Sequence, residues 1–165
     1  MTIVAGKIVD KKGRKALLIL SSTGMSIFLG LFSFYFYQLQ KTVAPDQNGE
    51  PDITKLNPFY KTIGLVSPVG YICMFALGFG PIPWMYAGEI LPSAIKDTVS
   101  SLGNLMSWSV SFLITASFQG VLLPYLGGSG TFLLFSFVVG LTAVYFRVFL
   151  IETKGKSLEE IEGLL

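Results

Sequence analysis

Residues 78–92 place several chemically capable groups in an apolar setting, with the sequence GFGPIPWMYAGEILP. Pro81 and Pro83 lack a backbone N–H, so a helix through them leaves two carbonyl groups without partners. In a membrane, such irregular backbone persists only where it lines a cavity or lies against other protein. We therefore predict a helix break at Gly80, Pro81 and Pro83, with Trp84 beside it at a site for a polar solute.

A second candidate set forms a polar stripe on one face of a predicted helix. The members of the stripe are Ser100, Asn104, Ser107, Ser111 and Thr115. They recur every three or four residues and fall within an arc of about 80° on the helix, with Trp108 at the margin of the arc. The stripe suits a carbohydrate, whose hydroxyls need hydrogen bonds and whose C–H face stacks on an indole ring. The same residue types also bind membrane helices to one another. Spacing leaves both alternatives open, although Ser100 and Thr115 fit helix packing better.

A third set consists of charges where apolar runs meet water: Asp10, Arg14, Lys15, Glu89, Lys96 and Glu152. An unpaired charge is costly at such a junction, so acids and bases from separate junctions could pair as a latch between helix ends. The alternative is solvated interfacial charge, which suits the lysines as a class. Pairing is favoured for Glu89, because it lies within an apolar run.

The chain offers few groups for catalysis or metal binding. It contains no histidine, and its one cysteine, Cys73, lies in an apolar run. The usual nucleophile–base pairs and metal-ligand clusters therefore have no candidates. The net charge of +2 gives no argument for nucleic-acid binding. We predict no enzymatic activity, no metal, no cofactor and no nucleic-acid partner.

The composition predicts a multi-pass membrane protein. The 165 residues are 52% hydrophobic and 13% charged, whereas soluble domains carry about 25% charge. Apolar stretches long enough to cross a bilayer cover residues 16–39, 63–91, 98–122 and 131–151. We predict an all-α integral membrane bundle of four transmembrane helices, with a polar tail at residues 152–165.

The predicted spans also give an orientation. They place the N-terminal segment, the turn at residues 92–97 and the tail on one side, which carries most of the lysines and arginines. By the positive-inside rule this side is cytoplasmic, and the loop at residues 40–62 faces outward. From the helical rise, Trp84 and Trp108 lie about 10 Å and about 16 Å into the membrane. Both are too deep for ordinary interfacial anchors.

Three separated motifs resemble those of sugar transporters of the major facilitator superfamily, in particular insect trehalose and animal glucose transporters. They are G-x3-DK-x-GRK at residues 6–15, GPIPW at 80–84 with Glu89, and ETKG at 152–155, where Ile151 replaces a usual proline. The resemblance covers nearly the whole chain. It implies helices nine to twelve of a twelve-helix fold, so that residues 1–165 form the C-terminal part of the second six-helix bundle.

The resemblance also implies roles for particular residues. Phe75 and Trp84 match aromatic residues of the sugar cavity, and Trp108 matches a tryptophan on the eleventh helix. Ser107 stands where the family has an asparagine, and Asn104 is one turn away on the same stripe. Together these five residues form the implied substrate-binding set.

The charged set corresponds to a cytoplasmic network that locks the outward-facing state of these transporters. Arg14, Glu89 and Glu152 match its members, and Asp10 and Lys15 adjoin them. Lys96 occupies an arginine position, so bidentate pairing is lost there.

The implied function is facilitative sugar transport by the full-length protein, through alternating access, with trehalose or a hexose as substrate. Ala76 stands where glucose carriers have a sugar-contacting glutamate, which argues against glucose. The implied partners are the sugar, the lipid bilayer and the missing N-terminal helices of the same protein, and the implied location is the plasma membrane. The alternative is a truncated, non-transporting membrane fragment or isoform that associates with intact carriers. A multi-pass membrane enzyme is a third hypothesis, without a catalytic constellation to support it.

Overall fold

A computed structural model of the chain describes residues 13–42, 56–85, 91 and 95–150. Within these residues the α-helices are α1 (Arg14–Thr42), α2 (Pro58–Met74), α3 (Lys96–Ser117) and α4 (Leu123–Phe149). A first π-helical turn, Phe75–Phe79, follows α2, and a second, Phe118–Leu122, joins α3 to α4. The described ranges contain no strand, which confirms the all-α prediction for them.

Local sequence explains where the first two helices begin. Gly13 has a φ of 85° immediately before α1, in a region that favours glycine. Asn57 caps α2, because its side-chain oxygen accepts a hydrogen bond from the Phe59 N–H at 3.0 Å. Pro58 occupies the first turn of α2, where a missing N–H costs nothing.

Helix α1 packs against α2 along most of its length. Tyr35 lies beside Gly64 near one end of the interface, and Gly24 lies beside Met74 near the other. The residue numbers rise on one helix as they fall on the other, so α1 and α2 are antiparallel. Glycines on α2 allow this close approach, because an added Cβ at Gly64 would lie 2.8 Å from the Tyr35 ring.

Helix α1 also packs antiparallel to α4, and here serines join the helices. The Ser26 hydroxyl donates to the Ser136 carbonyl at 2.8 Å, and the Ser136 hydroxyl donates to the Ser26 carbonyl at 2.7 Å. The Ser33 hydroxyl donates to the Ser129 carbonyl at 2.7 Å. These bonds show that small residues of α1 form a face that packs against α4. Ser22 departs from that pattern, since its hydroxyl donates within α1.

The reciprocal serine pair should contribute measurably to stability. We expect Ser26→Ala and Ser136→Ala each to lower the free energy of unfolding by about 0.6 kcal/mol, and by no more than about 1.7 kcal/mol. The double variant should lose less than the sum, because the two hydroxyls also contact each other at 3.4 Å and either single variant already removes that contact. Unfolding of the full-length protein in mixed detergent micelles measures this coupling. Thr142→Val is the control, since that hydroxyl donates only within α4; strictly additive losses would contradict the prediction.

Three stretches of the described chain are long and apolar enough to cross a membrane: Arg14–Thr42, Pro58–Met85 and Lys96–Phe149. The third is 54 residues long, and Gly127 inside it has non-helical angles of φ 65° and ψ 174°. The buried Thr131 hydroxyl, which follows the kink, donates to the carbonyls of Leu122 before it and of Gly127 at it, at 3.1 and 2.7 Å. The division of the Lys96–Phe149 stretch into two separate crossings, which would make four spans, stays a prediction.

Helix α3 differs from the other helices in having no buried residue. Among the described residues, its contacts of any extent are with the second π turn that continues it. Even Trp108 keeps 71% of its surface exposed. The polar stripe on this helix therefore does not serve to pack it against α1, α2 or α4 in the part of the chain that the structure describes.

Candidate functional site

The regular pitch of α2 ends before the predicted proline break. The chain widens into the first π turn, in which the Gly80 N–H donates to the Phe75 carbonyl at 2.9 Å. A short helical segment, residues 82–85, follows, and the Met85 N–H donates to the Pro81 carbonyl at 3.3 Å. A π turn next to a proline relieves the clash between the ring and the preceding turn. The segment that carries Trp84 therefore follows a turn of wider pitch than that of α2.

A hydroxyl from α1 is inserted into this turn. Ser21 donates to the Met74 carbonyl at 2.6 Å and accepts from the Phe79 N–H at 3.0 Å. Ser21 is 1% exposed, so these groups are satisfied away from solvent. Gly78 lets the two backbones meet, since an added Cβ there would lie 2.8 Å from the Leu17 carbonyl oxygen.

The segment after the turn is also anchored by apolar packing. Ile82 is fully buried in a cluster with Leu17 and Leu18 of α1. Phe79 and Phe146 pack against the same cluster. The short segment is thus fixed on α1 by Ile82, while Trp84, two residues later, is 53% exposed.

Trp84 lines an open groove of about 420 Å³ together with Ser100, Ser101 and Asn104 of α3. The groove combines an indole ring with two hydroxyls and a carboxamide. These groups can stack on the C–H face of a sugar and exchange hydrogen bonds with its hydroxyls. The groove is the place in the described structure where the aromatic and polar features predicted from sequence meet.

The structure brings together some of the predicted binding residues and leaves others apart. Trp84 and Asn104 share the groove, whereas Ser107 and Trp108 lie further along α3 and do not line it. Phe75 lies in the first π turn, with its ring 6.4 Å from that of Phe79.

Two groove residues were missed by the sequence reasoning. Ser100 fitted helix packing better, yet it lines the groove, and Ser101 lies off the predicted stripe. The three-residue spacing from Ser101 to Asn104 places both on one side of α3, and this was the available signal.

Comparison with known proteins identifies the family. A family model described as "Sugar (and other) transporter" matches residues 1–165. The chain belongs to this sugar transporter family. The members are transporters of the major facilitator superfamily, and they are not enzymes.

Individual sugar transporters show the same relationship. The chain is 39% identical to sugar transporter ERD6-like 6 of Arabidopsis thaliana, over 99% of the chain and 31% of that protein. It is 38% identical to facilitated trehalose transporter Tret1 of Apis mellifera ligustica, over 98% of the chain and 29% of that protein. The chain thus spans about a third of the length of these relatives.

Solved sugar transporter structures share the fold. The inward-open xylose transporter XylE from E. coli matches with a TM-score of 0.75 and 28% identity, over 99% of this chain and 32% of that one. A XylE structure bound to 6-bromo-6-deoxy-D-glucose matches with a TM-score of 0.74 and 25% identity, over 98% of this chain and 31% of that one.

The charged network of this sugar transporter chain is described only in part. Arg14 and Lys15 form the first turn of α1, and Lys96 is the first residue of α3. The three acids of the predicted network lie outside the described residues: Asp10, Glu89 and Glu152. Pairing between these groups therefore stays a prediction.

Two other cavities of the chain are poorly suited to a sugar. One, of about 780 Å³, is lined almost entirely by apolar side chains of α4. The other, of about 260 Å³, lies between α1, α2 and α4 and is lined mainly by phenylalanines. A sugar placed in either would leave most of its hydroxyls without hydrogen-bond partners, which is costly.

Within the described ranges, no group of three or more His, Cys, Asp or Glu side chains could hold a metal ion.

Proposed function

We propose that the full-length protein carrying this chain moves a sugar across a membrane by facilitative alternating access. The observation that carries the proposal is the groove in which Trp84 faces Ser100 and Asn104. It offers a stacking surface and hydrogen-bonding groups on two different elements. A relative movement of the elements would change access to a sugar held between them.

We propose that residues 1–165 form the C-terminal part of the second six-helix bundle, with four membrane crossings. Support comes from the antiparallel packing of α1 with both α2 and α4. A straight helix of 54 residues would be about 80 Å long, more than twice the thickness of a bilayer core. A reversal of the chain at the Gly127 kink would divide this stretch into two crossings, with α4 returning alongside α1.

The proposed environment is the plasma membrane, with the N-terminal segment and the tail on the cytoplasmic side. The distribution of basic residues favours this orientation. The exposed surface of α3 would contact lipid and the other helices of the same protein. We propose that Phe75, Ser107 and Trp108 approach the sugar from this wider cavity, and that the charged network closes its cytoplasmic end.

Trehalose or a hexose is the proposed substrate class. Several relatives are named facilitated trehalose transporters, and one related structure holds a halogenated glucose analogue. Both ligands present several hydroxyls and an apolar C–H face, as the groove requires.

Uptake by liposomes that contain the full-length protein tests the function. Labelled trehalose and hexoses should enter saturably and equilibrate with the outside concentration, with or without a pH gradient. Protein-free liposomes are the control. Non-saturable entry of every sugar would contradict transport, and accumulation driven by a pH gradient would replace the facilitative mechanism with proton coupling.

The groove assignment predicts a selective effect of Asn104→Ala. Loss of the carboxamide should raise the KM for the sugar about tenfold, because a hydrogen-bonding group at the site is lost. Ser109→Ala is the matched control, since Ser109 lies on the other side of α3 and its hydroxyl donates to the Leu105 carbonyl at 2.8 Å. Equal KM values for the two variants would remove Asn104 from the site.

A second candidate is that residues 1–165 alone form a non-transporting membrane fragment that associates with intact carriers. The absence of a buried residue on α3, within the described structure, favours it. Expression of residues 1–165 by themselves tests this candidate, and sugar-specific flux through that polypeptide would exclude it.

A further inference from the structure

We propose that Ser21 is a positioning residue for the sugar site, because its hydroxyl holds the first π turn in the shape that orients Trp84. The consequence for transport rests on the proposed function. The structural part concerns only Ser21 and the turn, and it can be tested without a sugar.

The hydroxyl bonds to both backbone groups that close the first π turn. In a π turn the N–H of one residue pairs with the carbonyl five residues earlier, here Phe79 and Met74. Ser21 gives each of these groups a further partner, donating to the carbonyl at 2.6 Å and accepting from the amide at 3.0 Å. Without the hydroxyl, the turn loses both of these bonds at a place that is buried from solvent.

The shape of the first π turn determines where the Trp84 side chain points. Ile82 is fully buried against Leu17 and Leu18 of α1. Trp84 follows it by two residues, or about 200° around a helix. With Ile82 held on α1, the indole therefore points away from α1 and towards the groove on α3. A turn that relaxed at Phe79 would rotate this short segment and move the indole relative to Asn104.

A matched pair of serines allows a sharp test. Ser21 and Ser22 are adjacent, both buried and both hydrogen-bonded. Ser22 donates to the Leu18 carbonyl at 2.6 Å, inside its own helix. We would compare Ser21→Ala, Ser21→Cys and Ser22→Ala in the full-length protein, first by hydrogen–deuterium exchange in residues 75–85. Faster exchange is expected in Ser21→Ala, a smaller change in Ser21→Cys, whose thiol bonds weakly, and none in Ser22→Ala.

Transport kinetics then test the link to the site. We expect Ser21→Ala to raise the KM about five- to tenfold while kcat changes less than about twofold, and Ser22→Ala to leave both unchanged. In a Trp84→Phe background the effect of Ser21→Ala on KM should shrink, because the two residues act through one contact. Full additivity would show that Ser21 acts elsewhere.

The two layers of the proposal fail in different ways. Unchanged exchange in residues 75–85 of Ser21→Ala, or an equal rise in Ser22→Ala, would overturn the role of Ser21 in the turn. Faster exchange with an unchanged KM would overturn its role in positioning Trp84. Absence of sugar uptake by the wild-type protein would instead contradict the proposed function, and the exchange data would still decide whether Ser21 holds the turn. If Ser21→Ala does not fold, Ser21→Cys provides the same comparisons.

Discussion

Replacement of Trp84 by leucine should abolish saturable sugar uptake by the full-length transporter. A sugar stacked on the indole would cover about 100 Å² of ring surface, which corresponds to about 2.5 kcal/mol. That free energy equals about 70-fold in kcat/KM. Leucine cannot offer a flat face, and its different shape would also alter the groove next to Asn104. Uptake of labelled trehalose and hexoses in liposomes provides the measurement.

Two further variants separate the loss of stacking from general damage. Trp84→Phe keeps a smaller aromatic face and should retain part of the activity. Phe59→Leu is the matched control, because Phe59 is 66% exposed and lies at the other end of the same apolar stretch, away from the groove. Undiminished uptake by Trp84→Leu would show that the indole does not contact the sugar.

The sequence predicted the helical architecture well because its signals are local. Long apolar runs identify α1 and the two stretches that follow it. Ser26 and Ser33, which recur at helical spacing, form the face of α1 that meets α4. The predicted spans 98–122 and 131–151 leave residues 123–130 outside any helix. The structure instead remains helical on both sides of Gly127, because this one positive φ and the Thr131 hydroxyl suffice to form the kink.

The contacts that build the candidate site could be predicted only in part. Ser21 and Ser22 are neighbours of the same type in the same apolar run, yet only Ser21 bonds across to the π turn. No local pattern distinguishes them, since the difference depends on which side of α1 receives α2. The same holds for the groove: Trp84 and Asn104 were each predicted from their own segment. Their meeting depends on how the chain turns between α2 and α3.

Helix α1 therefore acts as the support on which the candidate site is assembled. It holds the first π turn through Ser21 and the following segment through Leu17 and Leu18. Its other face binds α4 through serine pairs. A helix that does not itself line the groove can thus influence the orientation of Trp84 in the segment packed against it.

The close approach of α1 to the first π turn predicts that larger residues at position 78 will be strongly destabilising. An added Cβ at Gly78 would lie 2.8 Å from both the Leu17 carbonyl oxygen and the Ser21 Cβ. The carbonyl belongs to the backbone of a packed helix and cannot move aside cheaply. We expect Gly78→Ala to lower the free energy of unfolding by about 1–3 kcal/mol. Gly78→Leu should prevent assembly of this part of the bundle.

Position 103 provides the control for this series. An added Cβ at Gly103 of α3 meets no atom within 4 Å among the described residues. Gly103→Ala should therefore be neutral or stabilise the helix by about 0.5–1 kcal/mol, since alanine favours the helical state. Unfolding in mixed detergent micelles and the yield of monodisperse full-length protein measure both series. Equal stability of Gly78→Ala and Gly103→Ala would contradict the tight contact between Gly78 and the backbone of α1 at Leu17.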